Sequence, residues 1–264
     1  MDKKVYFISD VHLGSASHRK NYLKVRDNKD VGEFEAEHEV ERKLCRWFDM
    51  VKADARAIYL MGDIFDFWFE YKKVVPRGFV RVLGKIAELC DCGIEIHFFV
   101  GNHDIWLTDY LSNECGVIVH SQPMVMEILD KKFFLAHGDG LGDKSKSFKM
   151  IRYIFHNKFC RFLFAGIHPR WALGLAHVWS NHSRETGDMY GYLGEEKEYL
   201  VKFAKEQLKL APNINFFVFG HRHIILDLML SQSSRVIILG DWITHFSYGV
   251  FDGKTFSMEL FENE

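Results

Sequence analysis

Ile94-Glu95-Ile96-His97-Phe98-Phe99-Val100-Gly101-Asn102-His103-Asp104 is a short apolar run that stops at a polar cluster. Its length suits a buried strand and is too short for a core helix. The same arrangement recurs in both directions along the chain. Val5 to Ser9 stops at Asp10-Val11-His12, and Ala57 to Met61 stops at Gly62-Asp63. Further on, Phe133 to Ala136 stops at His137-Gly138-Asp139, Phe216 to Phe219 at Gly220-His221-Arg222-His223, and Val236 to Leu239 at Gly240-Asp241. Ligands of α/β folds bind beyond the carboxyl ends of strands, where loops converge. A strand end is also the rigid mount that a precise site needs.

Between the early strands the apolar period changes. Leu44, Trp47, Phe48 and Val51 predict a helix from about Glu33 to Lys52, and Phe79, Val82, Leu83, Ile86 and Leu89 predict another, opened near Pro76. Alternating strands and helices predict an α/β class with a parallel core. Later, Val125 to Leu129 and Phe133 to Ala136 read as a hairpin across Asp130-Lys131-Lys132. Strand pairs near the C-terminus predict a second sheet packed on the first. The stretch 144–212 lacks strand alternation and reads as a helical insertion or cap, ending in a helix from Glu195 to Leu210 with Leu200, Phe203 and Leu208 facing inward. The core is then 1–143 plus 213–264.

Composition narrows the class. The chain has 264 residues, which allows one large domain or a domain with a sizeable insertion. A formal charge of −2 excludes a global polycation, so any anion-binding surface is local. Five cysteines without regular spacing argue against a disulfide framework and for a reducing compartment. Cys90-Asp91-Cys92 reads as reduced thiols at a helix end, because a closed tetrahedral site needs a second pair. The first apolar run is too short for a signal-peptide core, and no run is long enough to predict a membrane span. A cytoplasmic location is expected, with peripheral contact at the inner membrane left open.

The strand-end residues suit metal ions. Asp10 and His12 lie two apart, as do His221 and His223, so in extended geometry each pair leans one way. Asp63, Asn102 and His137 complete a set of carboxylate, amide and imidazole donors. The set is too large for one ion, and a bridging carboxylate would serve two. Nitrogen and oxygen donors without thiolate suit Mn²⁺, Fe, Zn²⁺ or Co²⁺ and not Ca²⁺, and Mn²⁺ is the metal expected. Two such ions ~3.5–4 Å apart activate water and clamp a phosphoryl oxygen. Asp-x-His alone means little and Gly-Asp less. Gly-Asn-His-Asp and Gly-His-x-His are moderately specific, and all of them in order leave chance a poor explanation.

Together these motifs resemble the calcineurin-like metallophosphoesterase signature. The resemblance implies two stacked mixed β-sheets flanked by helices. It implies one metal on Asp10, His12, Asp63 and His223, and a second on Asp63, Asn102, His137 and His221. It also implies that His103 acts on the substrate beside the catalytic Asp63 and Asn102, either stabilising phosphoryl charge or protonating the leaving oxygen. Asp104 then orients His103 or caps the next helix.

The insertion addresses the substrate. From Lys144 to Arg184 it carries Lys144, Lys146, Lys149, Arg152, Lys158, Arg161, Arg170 and Arg184 with no Asp or Glu. The same window holds Phe159, Phe162, Leu163, Phe164, Trp171 and Trp179. A self-packed helical hairpin with a basic face is one reading. The other is a cap that offers apolar surface to lipid and charge to phosphate or to an anionic membrane. Nucleic acid is disfavoured, because the aromatics cluster with Leu and Ile instead of standing as stacking platforms.

His137-Gly138-Asp139-Gly140-Leu141, the basic apolar insertion and Leu239-Gly240-Asp241-Trp242 resemble the UDP-2,3-diacylglucosamine diphosphatase family of lipid A synthesis. The loop Phe65-Asp66-Phe67-Trp68 fits that pattern, whereas His103 stands where many members carry Arg. The resemblance implies cleavage of a nucleotide-linked glycolipid, UDP-2,3-diacylglucosamine, to UMP and 2,3-diacylglucosamine 1-phosphate under an acyl-holding lid. Implied substrate contacts are Asn102, His103, Lys144, Asn181, Ser183, Arg184 and His221. A general metal-dependent phosphodiesterase or nuclease on the same core is the alternative, and a catalytically weak scaffold is the third reading.

Overall fold

The computed structural model describes residues 3–15, 33–142, 155, 157–168, 171 and 191–262. The first half alternates strand and helix: β1 (Lys4–Ile8), α1 (Glu33–Val51), β2 (Ala55–Leu60), α2 (Val80–Asp91), β3 (Glu95–Phe99), α3 (Tyr110–Cys115) and β4 (Ile118–His120). There follow β5 (Met124–Ile128), β6 (Lys131–Leu135), α4 (Lys158–Ala165), α5 (Tyr199–Leu210), β7 (Phe216–Phe219), β8 (Ile225–Met229), β9 (Arg235–Leu239), β10 (Ser247–Phe251) and β11 (Phe256–Leu260).

Two mixed sheets result. The first runs β11-β10-β1-β2-β3-β4 and the second β5-β6-β7-β9-β8. In the first, β1 to β4 are parallel and β10 runs antiparallel to β1. In the second, β6, β7 and β9 are parallel. Strands buried on both faces need unbroken apolar sequence, which is why these runs do not alternate with polar residues.

The period of two sorts each strand between layers. Val5 and Phe7 point into the space between the sheets with Tyr59, Phe133, Phe216 and Leu239. Tyr6 and Ile8 point outward, under Trp47 and Phe48 of α1 and Ile86 and Leu89 of α2. On the far side, Leu200, Val201 and Ala204 of α5 cover Phe217, Phe219 and Val236. The order is therefore helices, sheet, sheet, helix.

Four details differ from the sequence reading. The C-terminal pair β10 and β11 joins the first sheet, because Phe251 and Phe256 complete the inter-sheet core. The hairpin is tighter than expected. Leu129 and Asp130 both take positive φ (46° and 64°), giving a two-residue turn that leaves Lys131 and Lys132 within β6. Helix α2 opens at Val80 and not near Pro76, with Phe79 left-handed at its start and its ring tilted against Phe65, centroids 5.0 Å apart. Helix α5, placed by sequence in the 144–212 stretch, packs on the second sheet as its outer layer.

The carboxyl ends of the central parallel strands of both sheets meet at one edge. The Asp10 N–H donates to Gly62 O at 3.1 Å, Gly220 N–H to His137 O at 2.8 Å, and Trp242 N–H to Asp10 O at 3.0 Å. The strand-end clusters are thus laced together by backbone before any side chain acts.

Candidate metal centre

The strand-end side chains converge in two groups. Donor atoms of Asp10, His12 and His223 lie within 4.8 Å of one another, and so do those of Asp63, His137 and His221. Asp63 also groups with His12 and His103, so its carboxylate stands between the two sets. His137 Nε2 is 3.1 Å from Asp63 Oδ2, and His12 Nε2 is 3.9 Å from the same oxygen. On the other side His223 Nε2 lies 3.3 Å from Asp10 Oδ1 and 3.3 Å from His12 Nε2.

Two donor atoms of these groups, Asp10 Oδ1 and His137 Nε2, are buried without a hydrogen bond among the described residues, and so is Asn102 Oδ1 in the adjoining loop. Buried polar atoms are almost always satisfied, so convergent exceptions call for a ligand. Each is a metal donor type, and the donor set fits two divalent ions sharing Asp63.

The imidazoles are aimed from outside. His137 Nδ1 is 2.8 Å from Met61 O, and a carbonyl can only accept, so Nδ1 carries the proton and Nε2 faces Asp63. His12 Nδ1 lies 3.4 Å from Asp66 Oδ1, and His223 Nδ1 lies 3.5 Å from Asp241 Oδ2. Outer partners of this kind set the tautomer and ring orientation of metal-bound histidine. Asp241 is itself fixed by the N–H groups of Ile243, Thr244 and His245. Sequence reasoning gave no role to Asp66 or Asp241, although each follows a glycine-led strand end.

Electrostatics point the same way. Burial pulls the His12 imidazole down, but the Asp10 and Asp66 carboxylates outweigh it and push it up to about 10. Burial likewise opposes protonation of His137, and the Asp63 carboxylate raises it well above its ordinary value. Burial, then the charge of Asp63, pushes the Asp104 carboxyl up to about 7. Cations are demanded here, and protons answer where divalent ions would.

The local backbone was not legible from spacing. Asp10, His12, Asp63, His221 and His223 all adopt positive φ, between 49° and 67°. The extended geometry expected for the Asp10/His12 and His221/His223 pairs does not occur, because the chain turns sharply as it leaves each strand. Such conformations are costly and cluster at functional sites. Glycines make room beside them. A Cβ on Gly101 would stand 2.2 Å from Asp63 Oδ1, and one on Gly220 would stand 1.9 Å from Ser9 Oγ and 2.6 Å from Asp10 Oδ2.

Asp104 neither orients His103 nor caps a helix. It accepts from Gly101 N–H at 2.7 Å and from Ile64 N–H at 2.9 Å, stapling the loops that carry Asn102 and Asp63. The start of α3 is served by Glu70, which accepts from the N–H groups of Asp109 and Tyr110. His103 Nδ1 donates to Asp66 O at 2.9 Å, leaving Nε2 as its second nitrogen. The ring stands edge-on to His12, with centroids 4.7 Å apart. Lys144, Asn181, Ser183 and Arg184 lie outside the described residues.

The family pattern of the calcineurin-like phosphoesterases matches residues 3–224. The chain belongs to that family. Its members work with divalent metal ions, and the donor clusters could hold them. The chain is 44% identical to the UDP-2,3-diacylglucosamine hydrolase of Porphyromonas gingivalis (strain ATCC BAA-308 / W83), across 100% of this chain and 99% of that protein. The UDP-2,3-diacylglucosamine hydrolase of Haemophilus influenzae is 23% identical, with 93% of each chain covered. Among solved structures, a dimetal phosphatase from Danio rerio is similar with a TM-score of 0.46 and 14% identity, over 98% of this chain and 95% of that one.

Replacing Gly101 with Ala is expected to displace the Asp63 carboxylate and reduce bound metal to less than one ion per chain. Elemental analysis of the purified variant checks this; two retained ions would contradict the packing argument.

Proposed function

We propose that this chain hydrolyses the pyrophosphate of UDP-2,3-diacylglucosamine, giving UMP and 2,3-diacylglucosamine 1-phosphate. The observation that carries the substrate is the full-length 44% identity to a hydrolase named for it. The observation that supports the chemistry is the Asp63 carboxylate shared between two histidine clusters.

Asp10, His12, Asp63 and His223 would hold one ion, and Asp63, Asn102, His137 and His221 the other, with Mn²⁺ the metal expected and Fe, Zn²⁺ or Co²⁺ also compatible with the donors. Bound there, two divalent ions lower the pKa of water and neutralise developing phosphoryl charge. The chain's own residues do the rest. The Nδ1–H bond to Asp66 O fixes the His103 ring and leaves Nε2 to meet a phosphoryl or leaving oxygen. Burial lowers the His103 pKa. A substrate phosphate would oppose that shift and favour the imidazolium, which could then donate to the departing oxygen.

Helix α4 supports a lipid-directed reading. Asn157 caps it by accepting from Phe159 N–H and Cys160 N–H. One side rests on the metal loops, with Phe164 4.9 Å from Phe69 and 4.6 Å from Trp106 between ring centroids. The Trp106 indole N–H donates to Phe155 O at 2.8 Å. Phe159, Phe162, Leu163 and Trp171 remain exposed, Phe162 at 72%. With Lys158 and Arg161 beside it, this surface suits acyl chains below an anionic headgroup. We read α4 as part of a substrate lid, working at the cytoplasmic face of a membrane. No helix among the described residues is long and apolar enough to cross a membrane.

Release of UMP from UDP-2,3-diacylglucosamine should outpace hydrolysis of bis(p-nitrophenyl) phosphate by several orders of magnitude in kcat/KM. Comparable rates on both would sink the substrate assignment and favour the general diesterase. His103→Ala is expected to lower kcat ~10²–10⁴-fold, the usual contribution of a positioned acid. Both ions should stay bound, and metal loss in this variant would make His103 a ligand.

A further inference from the structure

Arg222 lies between the last two histidine ligands, and metal binding does not by itself explain its burial. Arg222 is 4% exposed and Glu198 0%. Arg222 Nε donates to Glu198 Oε1 at 2.9 Å, and Nη2 donates to Oε2 at 3.2 Å. Glu198 immediately precedes α5, yet its carboxylate makes no capping bond to that helix and turns to Arg222 instead.

The pair sits where strain has to be held. His221 and His223 have φ of 67° and 52°, and Arg222 joins them. Its N–H closes the turn onto Gly220 O at 2.8 Å. Left-handed non-glycine residues persist only when their surroundings over-determine them. A guanidinium fork on a carboxylate fixes direction as well as distance, which a lysine cannot do. The first turn of α5 bears on the same place. Leu200 Cδ1 and His221 Cβ each lie 3.3 Å from where a Cβ on Gly138 would stand, next to His137.

We propose that the Arg222–Glu198 pair is a positioning device for the metal centre. It holds His221 and His223 in their left-handed turn and ties that turn to α5. Buried ion pairs seldom add net stability over an apolar pair of similar volume. Orientation of the histidine turn is what this one supplies. The proposal rests on the metal reading of the site and is independent of the lipid substrate.

Three variants test it: Glu198→Gln, Arg222→Lys, and Arg222→Met combined with Glu198→Leu. Retention of Mn²⁺ is measured against a graded chelator on the metal-loaded protein, alongside thermal unfolding in saturating Mn²⁺. Glu198→Gln leaves a buried guanidinium without its anion and should lower the melting temperature and Mn²⁺ retention together. The double variant removes both charges and refills the volume, so its melting temperature should return towards wild type. Its Mn²⁺ affinity should stay 10–100-fold weaker, the usual effect of losing an outer partner of a metal ligand. Arg222→Lys keeps charge without the fork and should also bind Mn²⁺ more weakly. Wild-type Mn²⁺ affinity in the double variant or in Arg222→Lys would overturn the proposal and leave the pair a folding role alone. Because the probe is Mn²⁺, failure of the substrate assignment would not alter either result.

Discussion

Carboxylates buried together must be matched by positive charge, and the centre of this molecule is organised around that demand. Asp10, Asp63, Asp66, Asp104 and Asp241 are all buried. An ionised carboxylate removed from water without a partner costs several kcal/mol, on the order of a whole domain's net stability. The neighbouring imidazoles respond by holding protons more tightly, as His12 and His137 do. Asp104 responds the other way and moves towards neutrality. Two divalent ions would satisfy the cluster more completely than protons, with Asp63 facing both.

The fold makes this concentration of charge possible. Each of these donor side chains leaves the carboxyl end of a strand buried on both faces, so its mount is as rigid as the core beneath it. The sharp left-handed exits at Asp10, Asp63 and His221 aim side chains from two different sheets into one space. Glycines at 101 and 220 let those side chains approach backbone to a distance that any Cβ would forbid. Outer partners then fix direction: Asp66 for His12, Met61 O for His137, and Asp241 for His223. The strain is local, and the two-sheet core holds it in place.

Much of this was legible in the sequence because it follows from period and punctuation. Apolar runs stopping at Asp, Asn or His located the strands and the donor side chains that converge at their ends, and alternation with helices gave the α/β class. What escaped was the part that depends on three-dimensional closure. The C-terminal strand pair was expected in the second sheet, and only the fit of Phe251 and Phe256 between the sheets places β10 and β11 in the first. Asp104 looked like a helix cap because caps are local, whereas its partner Ile64 lies 40 residues away. Arg222 carried no reading of its own between two histidines, and its partner Glu198 belongs to a segment read as insertion. Positive φ at the ligands has no reliable signature in Asp or His.

The central claim is that Asp63 bridges two ions. Anomalous X-ray diffraction from Mn²⁺-soaked crystals measures this most directly. Two peaks ~3.5–4 Å apart, with an Asp63 carboxylate oxygen within bonding distance of both, are predicted. A single peak, or a second peak out of reach of Asp63, would contradict the account.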